Sequence, residues 1–303
     1  LVLGAGALGI AVFLATLVMV AGAFGLVQLR PVTVEVNATE RAPLSREAVV
    51  RSRQPVRLEL RIHGRDGNDL RASFDEYRRE HTVPVLGLYP DYENRVTFTA
   101  VAQDGEKHRV AREISTEALP AIYPQVRVER LMSERIGSGM LLLHLAAYDE
   151  EGTYIPLASV VDRYGRVRWL FDGDYGHLLE PLRNGNLMIE REVAVDDPPE
   201  DGGGEASRTE DRLVEIDWLG RAPWDGWNVP GGIHHDAYEL PNGNILVLSA
   251  APGSVEDALV EVDRDTGNVL RRWDLRDHLD PSRPRQPINL DEADWLHLNG
   301  LDY

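Results

Sequence analysis

The chain contains no cysteine and a single lysine, Lys107, among its 303 residues. The first absence excludes a disulfide framework, a thiolate metal site and a thiol nucleophile. The second leaves arginine as almost the whole basic complement, 32 basic residues against 50 acidic ones, for a net charge of −18. Phosphate backbones require a basic face, so nucleic acid is disfavoured as a partner. An acid excess carried with arginine suits a protein kept soluble in high salt.

Charge is also missing locally. From Leu1 to Val27 there is none, and Thr16 is the only strongly polar side chain. About 20 such residues cross the ~30 Å hydrocarbon core of a bilayer. The run exceeds the roughly 7 to 15 residues of a signal-peptide core, so 1–29 is read as a transmembrane signal-anchor helix tethering the chain to a membrane, with a cleaved signal peptide ending at the small residues Ala21, Gly22 and Ala23 as the alternative. The first residue is Leu1, and Leu301-Asp302-Tyr303 reads as strand interior, so both ends are expected to be truncated.

Beyond the anchor the pattern changes to alternation. Thr33-Val34-Glu35-Val36, Val56 to Ile62 and Arg95 to Val101 alternate apolar and polar residues, as half-buried strands do. Gly64 to Asp69 and Gln103 to Glu106 supply turn chemistry between them. A small Ig-like β-sandwich over 32–119 is expected, with Pro120 at the boundary.

From residue 121 the chain repeats itself. An Asp-x-x-Gly hairpin followed by Trp occurs at Asp162 to Trp169, Asp217 to Trp224 and, more loosely, Asp263 to Trp273. An Asn-Gly turn between apolar segments occurs at Leu182 to Leu187 and Leu240 to Ile245. Alternating, they spell a four-stranded antiparallel unit, and 121–303 is read as about two to three blades of a β-propeller that stops before closing. The fold class is therefore all-β after the anchor. The acidic Pro- and Gly-rich stretch from Val195 to Glu205 reads as an inter-strand loop.

Position singles out a few of the nine histidines. His234, His235 and Asp236 directly precede the second Asn-Gly hairpin, and His297 with Asn299 occupies the matching place one unit later. Strand alternation would put His234 and Asp236 on one face and His235 on the other, as it would His297 and Asn299 against Leu298. The pairs would then converge on the propeller axis and form an anion or proton-transfer site. His177 aligns with His235 and is read as structural or rim-lining, while His63, His81, His108, His144 and His278 follow no pattern. Asp263 to Asn268 has the look of a calcium loop but lacks the distant bidentate Glu, and a turn accounts for it. No metal or cofactor is called for.

These motifs resemble the bacterial and archaeal arylsulfotransferases. Pro84 to Asn94 and Ile114 to Pro120 are similar to that family's N-terminal domain; His234-His235-Asp236 with Leu240-Pro241-Asn242-Gly243-Asn244, and Asp294-Trp295-x-His297-x-Asn299, are similar to its active-site strands. The resemblance implies sulfuryl transfer from a phenolic sulfate ester to a phenol, without a nucleotide sulfate donor, outside the cytoplasm. His234 and His297 would be catalytic, and Asn299, His235 and Asp236 would contact substrate. A further histidine, transiently sulfated, and an arginine would belong to blades after Tyr303, so residues 31–303 alone are expected to be inactive. The alternative is an extracellular binding or adhesion module whose histidines are structural.

Overall fold

The computed structural model describes residues 32–132, 137, 139–194, 209–229, 231–251, 254–280, 296 and 298–302. The expected anchor 1–29, the acidic stretch 195–205 and His297 lie outside these residues. Among the described residues no helix is long and apolar enough to cross a membrane. They form strands joined by turns, with one short 3-10 turn at Leu275–Asp277.

Five strands come first: β1 (Val32–Ala38), β2 (Arg46–Ile62), β3 (Leu70–Val85), β4 (Tyr92–Ala102) and β5 (Lys107–Thr116). They make one hydrogen-bonded set because β2, 17 residues long, pairs with β1, β3 and β4. Alternation builds its core. Val56, Leu58, Leu60 and Ile62 of β2 are buried with Val96, Phe98, Ala100 and Ala102 of β4, while Arg57, Glu59, Arg61 and Thr97 between them are not. The expected turns are present, with Gly67 and Gly105 at positive φ. The sequence pattern did not show how far β2 and β3 extend.

The next eleven strands form three antiparallel meanders. β6 (Leu141–Tyr148), β7 (Tyr154–Val161) and β8 (Val167–Leu170) make the first. β9 (Leu179–Pro181), β10 (Leu187–Ala194), β11 (Thr209–Ile216) and β12 (Trp224–Asn228) make the second. β13 (Ala237–Glu239), β14 (Ile245–Ala251), β15 (Ser254–Val262) and β16 (Val269–Asp274) make the third. Both repeated turns fall where expected. Asp162 Oδ1 accepts from the N–H groups of Tyr164 and Arg166, and Asp217 Oδ1 from those of Leu219 and Arg221. The third copy is one residue longer, and Asp263 Oδ1 there accepts from the N–H and the hydroxyl of Thr266. The β6–β7 hairpin uses an Asp149–Gly152 turn that the repeat pattern missed.

By contact the chain divides into two compact units, and not by a single cut. One comprises 32–36, Ala48–Val83 and Asn94–Ile114; the other comprises Asn37–Glu47, Pro84–Glu93 and the described residues from 115 onward. Inside the second unit, buried Arg168 of β8 donates to the Gly87 carbonyl at 3.0 Å and lies 3.8 Å over the Tyr89 ring.

The meanders pack face to face. Trp169, Leu187, Ile189, Val214 and Ile216 fill the space between the first and second; Met188, Leu213, Ile245, Val247, Val260 and Val262 fill that between the second and third. One indole from each of the first two sheets also reaches the next sheet. Trp169 Nε1 donates to the Trp218 carbonyl, and Trp227 Nε1 to the Arg264 carbonyl, both at 2.9 Å. Each acceptor directly follows the turn aspartate of the next sheet. The sequence spacing had pointed to Trp224 as the second repeat tryptophan, but Trp227 makes this contact, because β12 bulges against β11 between Arg212 and Val214.

Replacing Trp227 by Phe removes that hydrogen bond and keeps a ring, which should cost about 1 kcal/mol in urea unfolding. Trp227→Ala also opens a gap beside Gly267 and should cost about 3 kcal/mol. Equal stability of the Phe variant and the wild type would show that the bond has no net weight.

Candidate functional site

The first strand of each meander, β6, β9 and β13, is an edge strand of its sheet. Face-to-face stacking brings these edges into line, and the residues on or just before them meet. β6 contributes His144 and Tyr148, and β7 contributes Tyr154. The segment before β9 contributes Tyr175 and His177, and the segment before β13 contributes His234, His235 and Asp236.

Their rings form a continuous series. Tyr154 stacks on His177 with centroids 4.8 Å apart, His177 meets the His235 ring edge-on at 5.0 Å, and His235 lies 3.9 Å from His234. His144 Nε2 is 3.0 Å from the Tyr154 hydroxyl, and its ring lies 5.3 Å from that of Tyr175. Desolvation by these neighbours holds the His144 imidazole below the usual histidine range, and the nearby His177 adds to the shift.

The expected alternation of His234, His235 and Asp236 does not hold. The Asp236 N–H donates to the His234 carbonyl at 2.6 Å, closing a three-residue γ-turn with His235 at φ +58°. The His234 N–H donates to the Leu248 carbonyl, and the Leu248 N–H to that of Asp236, so both flanking residues bond to one partner. His235 is squeezed out of the ladder and its ring swings back beside His234. A bulky residue at positive φ is strained backbone, held here by the bonds on either side.

Three carboxyl groups border the rings. Glu190 on β10 is buried, and burial followed by the nearby Asp211 pushes it up to about 7, although the N–H groups of His177 and Leu178 bond to it. Gly176 makes room, since a Cβ there would overlap the Glu190 carboxylate. Glu180 on β9 is also pushed to about 7, by burial and then by Asp236. Asp236 is itself raised by burial, opposed by hydrogen bonds from the Leu301 and Ala237 N–H groups.

Asp236 is half-buried. Its Oδ2 accepts from the Leu301 N–H at 2.6 Å and ties the segment that carries Asn299 to the segment that carries His234. Asn299 is exposed. His297, its expected companion, lies outside the described residues. The structure thus groups His234, His235 and Asp236, and it adds His144, Tyr154, Tyr175, His177, Glu180 and Glu190. Spacing aligns His177 with His235, each five residues before the Leu of its Asn-Gly turn, but the reading of His177 as structural or rim-lining gave no sign that the two rings would meet. The carboxyls and tyrosines had no such mark. Among the described residues no group of three or more His, Asp or Glu side chains is arranged to hold a metal ion.

An all-β chain whose stacked meanders line up imidazoles at a shared edge, preceded by a compact five-stranded unit, defines a two-part β-protein with a histidine-rich site. Comparison with known families makes it specific. The arylsulfotransferase (ASST) profile matches residues 126–303, and the arylsulfotransferase Ig-like domain profile matches residues 33–118. The chain belongs to the arylsulfotransferase family. A comparison with curated proteins gives no match.

Glu190 carries a pH signature. Its folded pKa lies above the unfolded value of 4.5, so the fold favours the protonated form and bears a penalty that grows from about pH 4.5 and is complete above about pH 7. Glu190→Gln should therefore gain stability relative to the wild type as pH rises through that window and hold the gain above it. Thermal melts of the two proteins at pH 5 and pH 8 check this; a constant difference would contradict it.

Proposed function

We propose that the chain is a membrane-tethered, extracytoplasmic arylsulfotransferase that moves a sulfuryl group from a phenolic sulfate ester to a phenol through a sulfated histidine, with no nucleotide donor. In this reading the three meanders are consecutive blades of a β-propeller, and the aligned edges face its axis. The observation that carries the reading is the convergence of His144, His177, His234 and His235 from three sheets at one edge, in a chain of this family. The apolar run 1–29 supports the tether.

The chemistry follows from the groups assembled. Breaking the aryl O–S bond leaves a phenolate, which takes a proton from a neighbouring imidazolium as a histidine nitrogen forms the N–S bond. Phenol attack on that sulfur returns the histidine and gives the new ester, the phenolic proton passing back to the imidazole. Charge spreads over the three sulfuryl oxygens on the way, so fixed N–H donors such as His234, His297 and the Asn299 amide lower the barrier.

In the full-length protein, His234→Ala should reduce release of 4-nitrophenol from 4-nitrophenyl sulfate, with phenol as acceptor, by about 100-fold or more. His297→Ala should do the same, with the circular dichroism spectrum unchanged in both. Full activity in both variants would remove these residues from the site, and no transfer by the wild type would return the reading to a binding module.

A further inference from the structure

The first compact unit carries a basic surface on a strongly acidic protein. Because β2 and β4 alternate, the side chains opposite the core share one face, where Arg61 stands across from Thr97 and Glu59 from Thr99. Together with Arg71 and Ser73 of β3 and Arg109 of β5, Arg57, Arg61, Arg95 and the two threonines line a cleft of about 830 Å³. Glu59 is the one acidic residue in that lining.

The ion pairs around the cleft leave it positive. Asp69 is shared between Arg61 and Arg71, and Glu59 is shared between Arg57 at 2.9 Å and Lys107 at 3.9 Å. Arg95 reaches Glu113 only at 3.9 Å. Arg109 is exposed and has no ion-pair partner among the described residues. Three carboxylates thus answer six cations, in a chain whose net charge is −18.

We propose that this cleft binds a linear acidic polysaccharide. The arginines stand on four adjacent strands in the order β3, β2, β4, β5, and at ~4.8 Å between strands the row is roughly 14 Å wide. That span exceeds a single sulfate or carboxylate and fits a chain bearing anions at intervals. Guanidinium forks pair with carboxylate and sulfate oxygens two at a time, and the Ser73 hydroxyl suits a sugar hydroxyl. The lining has no aromatic ring on which a base could stack. It also has no large exposed apolar side chain that could enter a bilayer; Leu60 is buried. The proposal is independent of the sulfuryl-transfer site, which lies in the other unit.

The test is binding of fluorescent heparin to the full-length protein, followed by anisotropy at low ionic strength and then with added salt. Wild type should bind, with affinity falling steeply as salt rises. The triple variant Arg57→Gln, Arg95→Gln, Arg109→Gln changes only the solvent face and should bind about tenfold or more weakly, with an unchanged thermal midpoint and unchanged aryl sulfate turnover. Absence of wild-type binding, or equal binding by the variant, would overturn the proposal. So would binding of duplex DNA or anionic phospholipid vesicles as tight as that of heparin and equally sensitive to the three substitutions.

Discussion

A sheet that is apolar on both faces has to be covered twice. In the second meander, Leu187, Ile189, Val214 and Ile216 point one way and Met188 and Leu213 the other. Each of these side chains contributes on the order of 1.5–3 kcal/mol only if a neighbouring sheet removes it from water. The stacking of three meanders follows from that requirement, and the alignment of their edges follows from the stacking. Edge strands ordinarily offer unpaired backbone to any passing strand. Here β9 and β13 are only three residues long, and the residues before them have left the ladder to carry imidazoles. The site lies along one of the two edges of the stack, where the segments before β9 and β13 bond to neighbouring loops and to Glu190 instead of extending the ladder.

Electrostatics at that edge differ from those of the chain as a whole. A protein of net charge −18 repels an anionic aryl sulfate, and carboxylates beside the imidazoles would add to the repulsion. Burial changes the balance, because Glu180 and Glu190 are both pushed to about 7 and stay largely protonated in mildly acidic solution. Asp236, the third acid, spends its charge on backbone N–H groups. Glu190 and Asp236 act less as bare charges than as hydrogen-bonding supports for the segments that carry His177 and His234.

Much of the fold was legible because it rests on local chemistry. An Asp whose side chain caps its own turn, followed by Gly at positive φ, leaves a short and recognisable string, and it occurs twice in strict form and once with an extra residue. What escaped the sequence was tertiary. Trp224 and Trp227 are separated by two residues, and only the bulge in the β11–β12 pairing decides which one reaches the next sheet. Alternation misplaced His235 because it presumes an unbroken strand, and the γ-turn breaks it one residue before β13 begins. Glu190 reads as an ordinary surface acid in Leu187-Met188-Ile189-Glu190, and nothing in that string announces that His177 and Leu178 will close over it.

The Asn-Gly turns have a consequence on the timescale of protein ageing. Asparagine before glycine is the pair most open to loss of its side-chain amide, since the following backbone nitrogen meets little obstruction, and asparagine counts among the thermolabile residues. In both turns that amide is engaged. Asn184 and Asn186 donate to Glu215, and Asn242 and Asn244 donate to Glu261. The grip restrains the amide from the geometry that deamidation needs. Should it fail, the product is a carboxylate set directly against a glutamate, so a single chemical event in a surface turn would turn an internal staple of the second or third sheet into a repulsive pair.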